Sequence, residues 1–332
     1  MKKEKALYYP YINLPKKEWT YQTLLYWDNL MSIVPDTFFK EPEKEYEPFM
    51  LDLVRNGLVI QLRPTDYLPK IKSLNNVFST YIENKYKRRD YKSKKFTRIH
   101  FDKLNYELRN ELIKMKLAFE IGDSNWLMVE EKISDDYMLL LTNIIAKIDN
   151  LMPVSDKMIN AIYFDKSKSF YNVTQNRVAN QILDNILPIP SKDINLDKLM
   201  LFKNKEDNQK ALINFRKFIE KLSYKISLEV ETDNRQELIE KSIKLILESS
   251  KDIEERMKSE LGVRNISLGR CLTIFGNGLS VINSESPSSM FSSLSNLAGE
   301  VISGIKENSE RKKEFNKKPL AYIISAKKTF GN

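Results

Sequence analysis

Residues 117–130 read LAFEIGDSNWLMVE and predict a β-hairpin in a chain whose other long apolar patterns are helical. Two apolar runs flank the turn residues 122–125, which are glycine, aspartate, serine and asparagine, the residue types that tight turns favour. Apolar residues recur at helical spacing on both sides of the hairpin, and they predict a helix over residues 102–116, capped by Asp102, and another over 133–150. A strand pair set between helices indicates the α+β class.

Two further strands are predicted near the N-terminus. Residues 5–10 form a short β-prone run that ends at a proline, and residues 58–62 form a buried apolar run. Helical patterns occupy residues 19–31 and 49–56 between them. The order strand, helix, helix, strand is consistent with a small parallel pairing, so we predict a mixed α/β module over residues 1–150.

The second half of the chain is predicted to be helical. The sequence LMPVS at residues 151–155 interrupts the apolar pattern and indicates a boundary. Two long amphipathic patterns follow at residues 207–228 and 234–261, and they predict helices that pair as an antiparallel hairpin. The predicted fold is therefore a predominantly α-helical α+β protein, in which a helical module over residues 151–332 follows the N-terminal module.

The 332 residues include one histidine and one cysteine, and this composition excludes several classes of site. A zinc site built from several Cys and His residues is excluded, as is any mechanism that needs two histidines. A disulfide within the chain is also excluded, which favours a reducing compartment, and the first ten residues lack the apolar core of a signal peptide. We therefore expect a cytoplasmic protein.

The net charge of +9 is concentrated in short pieces of the chain, and residues 85–98 hold eight basic residues against one acidic residue. Such a segment, interleaved with aromatic rings, could neutralise phosphates while the rings stack on unpaired bases. An anionic membrane surface would suit the same pattern, and so would a solvated loop without a ligand. The candidate nucleic-acid-binding residues are Lys85, Lys87, Arg88, Arg89, Lys92, Lys94, Lys95 and Arg98.

An uncharged segment rich in glycine and serine lies at residues 268–305, where Glu285 is the only charged residue between 271 and 299. Each uncharged half is shorter than the ~20 apolar residues that span a bilayer. One interpretation is a closely packed helical hairpin inside the protein. The alternative is a segment that inserts into a membrane or contacts a partner. The candidate contact residues follow a helical stripe: Leu294, Leu297, Gly299, Val301 and Ile305.

Candidate catalytic residues are few. Residues 276–278 lack the third glycine of a dinucleotide fingerprint, and no Walker A sequence is present. Asp123, Glu130 and Lys132 weakly resemble the Asp…Glu-x-Lys arrangement of metal-dependent nucleases, in which carboxylates hold Mg²⁺. The alternative for these three residues is an exposed turn and the start of a helix. We therefore expect a protein without a cofactor, unless the nuclease hypothesis holds and Mg²⁺ is required.

Several short motifs resemble those of an uncharacterised bacterial family of unknown function, which carries the N-terminal signature LYYP…W…LYWD…IVP. The resemblance covers most of the chain, implies a shared fold and transfers no catalytic residue. It also suggests the gene contexts of that family, which are bacterial defence and mobile regions. The motifs are residues 7–10, Trp19, residues 25–28, 33–35 and 126–127, residues 137–138 with Leu141, and residues 187–190, 215–216 and 319–323.

The favoured hypothesis is a cytoplasmic, non-catalytic interaction or effector protein that acts in phage defence or growth arrest. It would contact nucleic acid or another polyanion through residues 85–98. A protein partner or a second copy of the chain is a further candidate, because the uncharged segment could pack against either. The two alternatives are a membrane-acting effector that uses residues 268–305 and a metal-dependent nuclease.

Overall fold

The computed structural model describes residues 4–67, 74–86, 95–122, 124–156, 169–259 and 320–331. About 64% of these residues are α-helical, so the prediction of a mixed and mostly helical protein is confirmed. The chain forms two compact units: Met1–Lys17 with Trp27–Lys166, and Glu18–Tyr26 with Ser167–Asn332. Nine residues of the first half of the chain, Glu18–Tyr26, thus belong to the second unit.

The described elements up to the second sheet are β1 Lys5–Tyr8, α1 Lys17–Tyr26, β2 Asn29–Ile33, α2 Thr37–Lys40, α3 Pro42–Glu45, α4 Pro48–Arg55, β3 Val59–Leu62 and α5 Leu74–Tyr86. Those of the second sheet and its helices are β4 Phe96–His100, α6 Tyr106–Lys114, β5 Ala118–Glu120, β6 Trp126–Glu130 and α7 Glu131–Asp149. The remainder are β7 Met152–Val154, α8 Ser169–Ile186, α9 Leu196–Asn204, α10 Glu206–Ser227, α11 Thr232–Ser259 and α12 Ala321–Phe330.

The first unit contains a four-stranded parallel sheet with the strand order β3-β2-β1-β7. Strand β2 is buried along its whole length, as parallel strands commonly are. The sequence prediction for its residues was wrong, because the helical pattern over 19–31 ends at Tyr26 and a strand begins at Asn29. A short run that is buried on both faces has no alternation, so periodicity cannot distinguish a strand from a helix there.

Strand β7 lies within the stretch 151–155, where the sequence indicated a boundary. It pairs with β1 at the edge of the parallel sheet, and Pro153 is tolerated because an edge strand does not need every backbone donor. The first unit therefore continues through this stretch.

A three-stranded antiparallel sheet of order β4-β6-β5 completes the strands described in the first unit. Strands β5 and β6 pair where the sequence predicts a hairpin, and Gly122 in their turn has φ of 48°. One side of this sheet packs on α5, α6 and α7 and belongs to the main core of the unit. Its inward residues are Ile99, Ala118, Leu127 and Val129.

Helix α6 begins later than the sequence predicts. Asn105, and not Asp102, caps it, because the Asn105 side chain accepts a hydrogen bond from the N–H of Leu108 at 2.9 Å. Asp102 instead accepts a hydrogen bond from the N–H of Asp36 at 3.0 Å and lies in a short 3₁₀ turn. Asp102 and Asn105 are both residue types that cap helices, and the sequence alone does not show which of them accepts the capping hydrogen bond.

The second unit is helical in its described part. Aromatic rings join α1, α10 and α12, where Tyr26 packs edge-on against Phe215 at 5.9 Å and Phe215 stacks on Tyr322 at 5.7 Å. Helix α8 packs against both α10 and α11, the two longest of the described helices.

Candidate nucleic-acid interface

The antiparallel sheet of the first unit has one side that does not face the core. Since successive residues of a strand point to opposite sides, the residues next to the inward ones along each strand point outward. Phe96 and Arg98 of β4, Phe119 of β5 and Met128 of β6 form this surface, which we name the outer face. Arg98 lies opposite Met128, and Met128 lies opposite Phe119, so the last three form a row across the sheet.

Two phenyl rings are exposed on the outer face. Phe96 is 38% exposed and Phe119 is 50% exposed, although both are large apolar side chains. Their ring centroids lie 5.2 Å apart at an interplanar angle of 61°, so the edge of one ring meets the face of the other. The rings come from the two outer strands of the sheet, and they therefore form an aromatic surface across the central strand β6.

The cations at this site are also exposed. Arg98 is exposed, and within the described residues its side chain has no hydrogen bond or ion pair. Lys95 is exposed immediately before β4, and its carbonyl accepts a hydrogen bond from the N–H of Glu131 at 3.0 Å, which fixes the start of the strand. Arg98 lies two residues after Phe96 and points to the same side of the sheet.

The structure describes only part of the predicted basic segment. Lys85 belongs to the last turn of α5, and the segment ends inside β4. The two ends of the segment are therefore helix and strand, whereas one alternative predicts a solvated loop. Strand β4 pairs with β6 along its whole length; Ile99 and His100 are buried in it, whereas Phe96 and Arg98 are exposed. The candidate residues outside the described residues are Lys87, Arg88, Arg89, Lys92 and Lys94.

The outer side of the sheet is buried at the other end of β4, at His100. His100 is buried, its ring packs edge-on against Trp126 at 5.0 Å, and its Nδ1 accepts a hydrogen bond from the N–H of Asp102 at 3.1 Å. Burial lowers the pKa of His100, so its ring is neutral near pH 7. The His100 end of β4 is therefore buried, whereas the Phe96 end is exposed.

Two residues of the nuclease hypothesis have other positions. Glu130 is 3% exposed and caps α7, because its Oε2 accepts a hydrogen bond from the N–H of Ile133 at 3.3 Å. Lys132 is exposed in the first turn of α7, and Asp123 lies outside the described residues. In the part of the chain that the structure describes, no group of three or more His, Cys, Asp or Glu side chains could hold a metal ion.

The uncharged segment cannot be placed in the same way. Leu294, Leu297, Gly299, Val301 and Ile305 all lie outside the described residues. Among the helices that are described, none is long and apolar enough to cross a membrane.

Sequence reasoning missed two residues of interest. Phe119 looked like one more apolar residue of a hairpin strand, and only its register opposite Met128 shows that it points away from the core. Lys103 is 4% exposed, and burial lowers the pKa of its amine to about 7. Nothing in the sequence around Lys103 distinguishes it from an exposed lysine.

No family model, curated protein or solved structure matches this chain.

Proposed function

We propose that this protein is a non-catalytic, cytoplasmic nucleic-acid-binding effector that contacts its partner through the outer face and residues 85–98. The observation that carries the proposal is the exposed Arg98 beside the exposed rings of Phe96 and Phe119 at the end of a segment with eight basic residues. The bacterial context of phage defence or growth arrest comes from the resemblance alone.

The charge of the segment supports a polyanionic partner. Eight basic residues and one acidic residue give residues 85–98 a net charge of 8 − 1 = +7. Cations that neutralise phosphates release condensed counterions from nucleic acid, and this release drives much of the binding. Lys95 and Arg98 show that the described end of the segment is open to solvent.

Among the described residues, the carboxylates of Glu130 and Glu120 near the outer face have other roles. Glu130 is directly opposite Phe96 in the sheet, but its carboxylate is buried and caps α7. Glu120 ends β5, and its Oε1 lies 3.9 Å from Nε of Arg109. Arg98 therefore has no acidic neighbour in its row, because its cross-strand partner is Met128 and the next residue across is Phe119.

The proposal assigns binding to the N-terminal mixed module with its β-hairpin. The helical C-terminal module, with its two long antiparallel helices, would then carry the effector role or the contact with a protein partner or a second copy. The membrane-acting and nuclease alternatives have no supporting geometry in the described residues and remain hypotheses from the sequence.

The test measures binding of the full chain to a fluorescently labelled oligonucleotide at several salt concentrations. We expect the logarithm of the association constant to fall linearly with the logarithm of salt concentration. The slope should become shallower by about one for each cation–phosphate interaction that a substitution removes. The double variant Lys95→Ala/Arg98→Ala and the triple variant Lys87→Ala/Arg88→Ala/Arg89→Ala should both show the shallower slope.

A matched control removes two exposed cations from α10, by Lys217→Ala/Lys221→Ala. This variant has the same net charge as the Lys95/Arg98 variant and should keep the wild-type slope. Equal slopes for both double variants, or no measurable binding of the wild type at low salt, would overturn the proposal.

A further inference from the structure

We infer that the outer face selects nucleic acid with unpaired bases, and that Phe96 and Phe119 are the platform on which those bases stack. The inference rests on the proposed function and names its substrate class. It follows from the exposure of the rings, their arrangement and their distance from Arg98.

Packing among the described residues does not explain the exposure of the two rings. The core of the first unit lies on the other side of the antiparallel sheet, where Ile99, Leu127 and Val129 are almost fully buried. Phe96 and Phe119 cover part of the central strand, yet each keeps a large share of its surface in water. Transfer of that apolar surface onto a flat partner would be favourable.

A nucleobase with a free face is such a partner. Bases inside a duplex are stacked on one another and present only their edges in the grooves, whereas unpaired bases can stack on aromatic side chains. Base–aromatic stacking does not depend on hydrogen-bond patterns, so it gives affinity for single strands without strong sequence preference. The exposed rings therefore favour single-stranded over duplex nucleic acid.

The spacing of charge and rings fits one strand of nucleic acid. Phe96 and Arg98 are two residues apart on one side of β4, which corresponds to about 7 Å along the strand. Arg98 and Phe119 are two strands apart in the same row, which corresponds to about 10 Å across the sheet. A base on either ring would thus place its backbone within reach of the long Arg98 side chain.

The two rings are inclined by 61° and cannot both stack on the same base face. One base can lie flat on one ring while the edge of the second ring borders it, or two successive bases can each use one ring. In both arrangements each ring contacts a base, so the loss of either ring weakens single-strand binding and the loss of both removes the stacking.

The test compares a labelled single-stranded oligonucleotide with a blunt duplex of the same sequence, at one moderate salt concentration, with the full chain. Wild-type protein should bind the single strand at least about tenfold more tightly than the duplex, which is the scale that stacking of one base provides. The variants Phe96→Ala and Phe119→Ala should each lose about tenfold in single-strand affinity and change duplex affinity little.

Two further substitutions of Phe119 distinguish base stacking from the burial of apolar surface. Phe119→Leu keeps an apolar side chain without a ring and should lose affinity for the single strand. Phe119→Tyr keeps the ring and should recover most of the affinity that Phe119→Leu loses. The salt dependence should have the same slope in all of these variants, because none of them removes a charge.

The outcomes distinguish this inference from the proposed function. Equal affinity for single strand and duplex, or wild-type affinity in both alanine variants, overturns the inference, while salt-dependent binding in the same experiment keeps the proposed function. Loss of binding in Phe119→Leu without recovery in Phe119→Tyr also overturns it. No binding of either nucleic acid overturns both.

Discussion

The two sheets of the first unit bury their strands to different extents. The parallel sheet has a fully buried strand β2, and Leu7, Met31 and Ile33 of its strands belong to the main core. The antiparallel sheet buries one side in the same core and leaves Phe96, Arg98 and Phe119 exposed on the other. The exposed side of the antiparallel sheet, with its two rings and an arginine, can contact a partner. Strand β2 is buried and can contribute only to the stability of the fold.

An introduced aspartate should give the largest difference in the free energy of unfolding between the two sheets. Ile33 is almost fully buried in β2, and Ile33→Asp places a carboxylate in the core, which should lower the free energy of unfolding by more than about 4 kcal/mol. Phe119→Asp places the same group on the outer face and should lower it by less than about 1 kcal/mol. Urea unfolding followed by circular dichroism measures both, and equal losses would contradict the difference between the sheets.

Lys103 and Arg98 provide a second comparison, between a buried and an exposed cation that lie five residues apart. Lys103 is buried, and in the described residues its amine has no ion pair or hydrogen bond, while the hydroxyl of Tyr137 donates a hydrogen bond to its carbonyl. Because a buried ammonium is costly, Lys103→Met should raise the free energy of unfolding at pH 7 by about 1–3 kcal/mol. Arg98→Met should change it by less than about 0.5 kcal/mol.

The gain from Lys103→Met should depend on pH in one direction. Burial lowers the pKa of Lys103 to about 7 in the folded protein, and the unfolded chain keeps the ordinary higher pKa. As pH rises above about 7, the folded protein loses the proton while the unfolded chain keeps it, so wild-type stability rises. The difference between variant and wild type should therefore be largest below pH 7 and shrink towards about pH 10. A constant difference over this range would show that the folded and unfolded chains bind the Lys103 proton equally, so that burial does not lower its pKa.

Glu130 tests whether the end of β6 has a structural role. Its carboxylate caps α7, so Glu130→Ala should lower the free energy of unfolding by about 1 kcal/mol. The neighbouring Glu131→Ala is the control, because the Glu131 side chain is not the cap. Thermal unfolding measures both variants, and a wild-type melting temperature for Glu130→Ala would contradict the capping role.

The sequence predicts the elements that have long or strongly patterned signals. The hairpin and the helix that follows it lie close to their predicted positions, because turn residues and helical periodicity are local. Strand β2 was missed because it is buried on both faces, and the cap of α6 was placed at Asp102 because two acceptors compete within a few residues.

The outer face depends on information that is not local. The exposure of Phe119 depends on its register with Met128, and the position of Phe96 beside it depends on the pairing of β4 with β6. The sequence identified the charge and aromatic content of residues 85–98, but it could not show that Phe119, more than twenty residues after Phe96, supplies the second ring. Cross-strand pairing joins these residues, and no short pattern encodes it.

Photocrosslinking is the most direct test that unpaired nucleic acid lies on the outer face. A single-stranded oligonucleotide with photoreactive thymidines is irradiated with the full chain, and the crosslinked peptides are identified by mass spectrometry. We predict crosslinks on peptides that contain Phe96 or Phe119, and their loss when excess unlabelled single strand, but not duplex, competes. Crosslinks confined to peptides of the second unit would contradict the account.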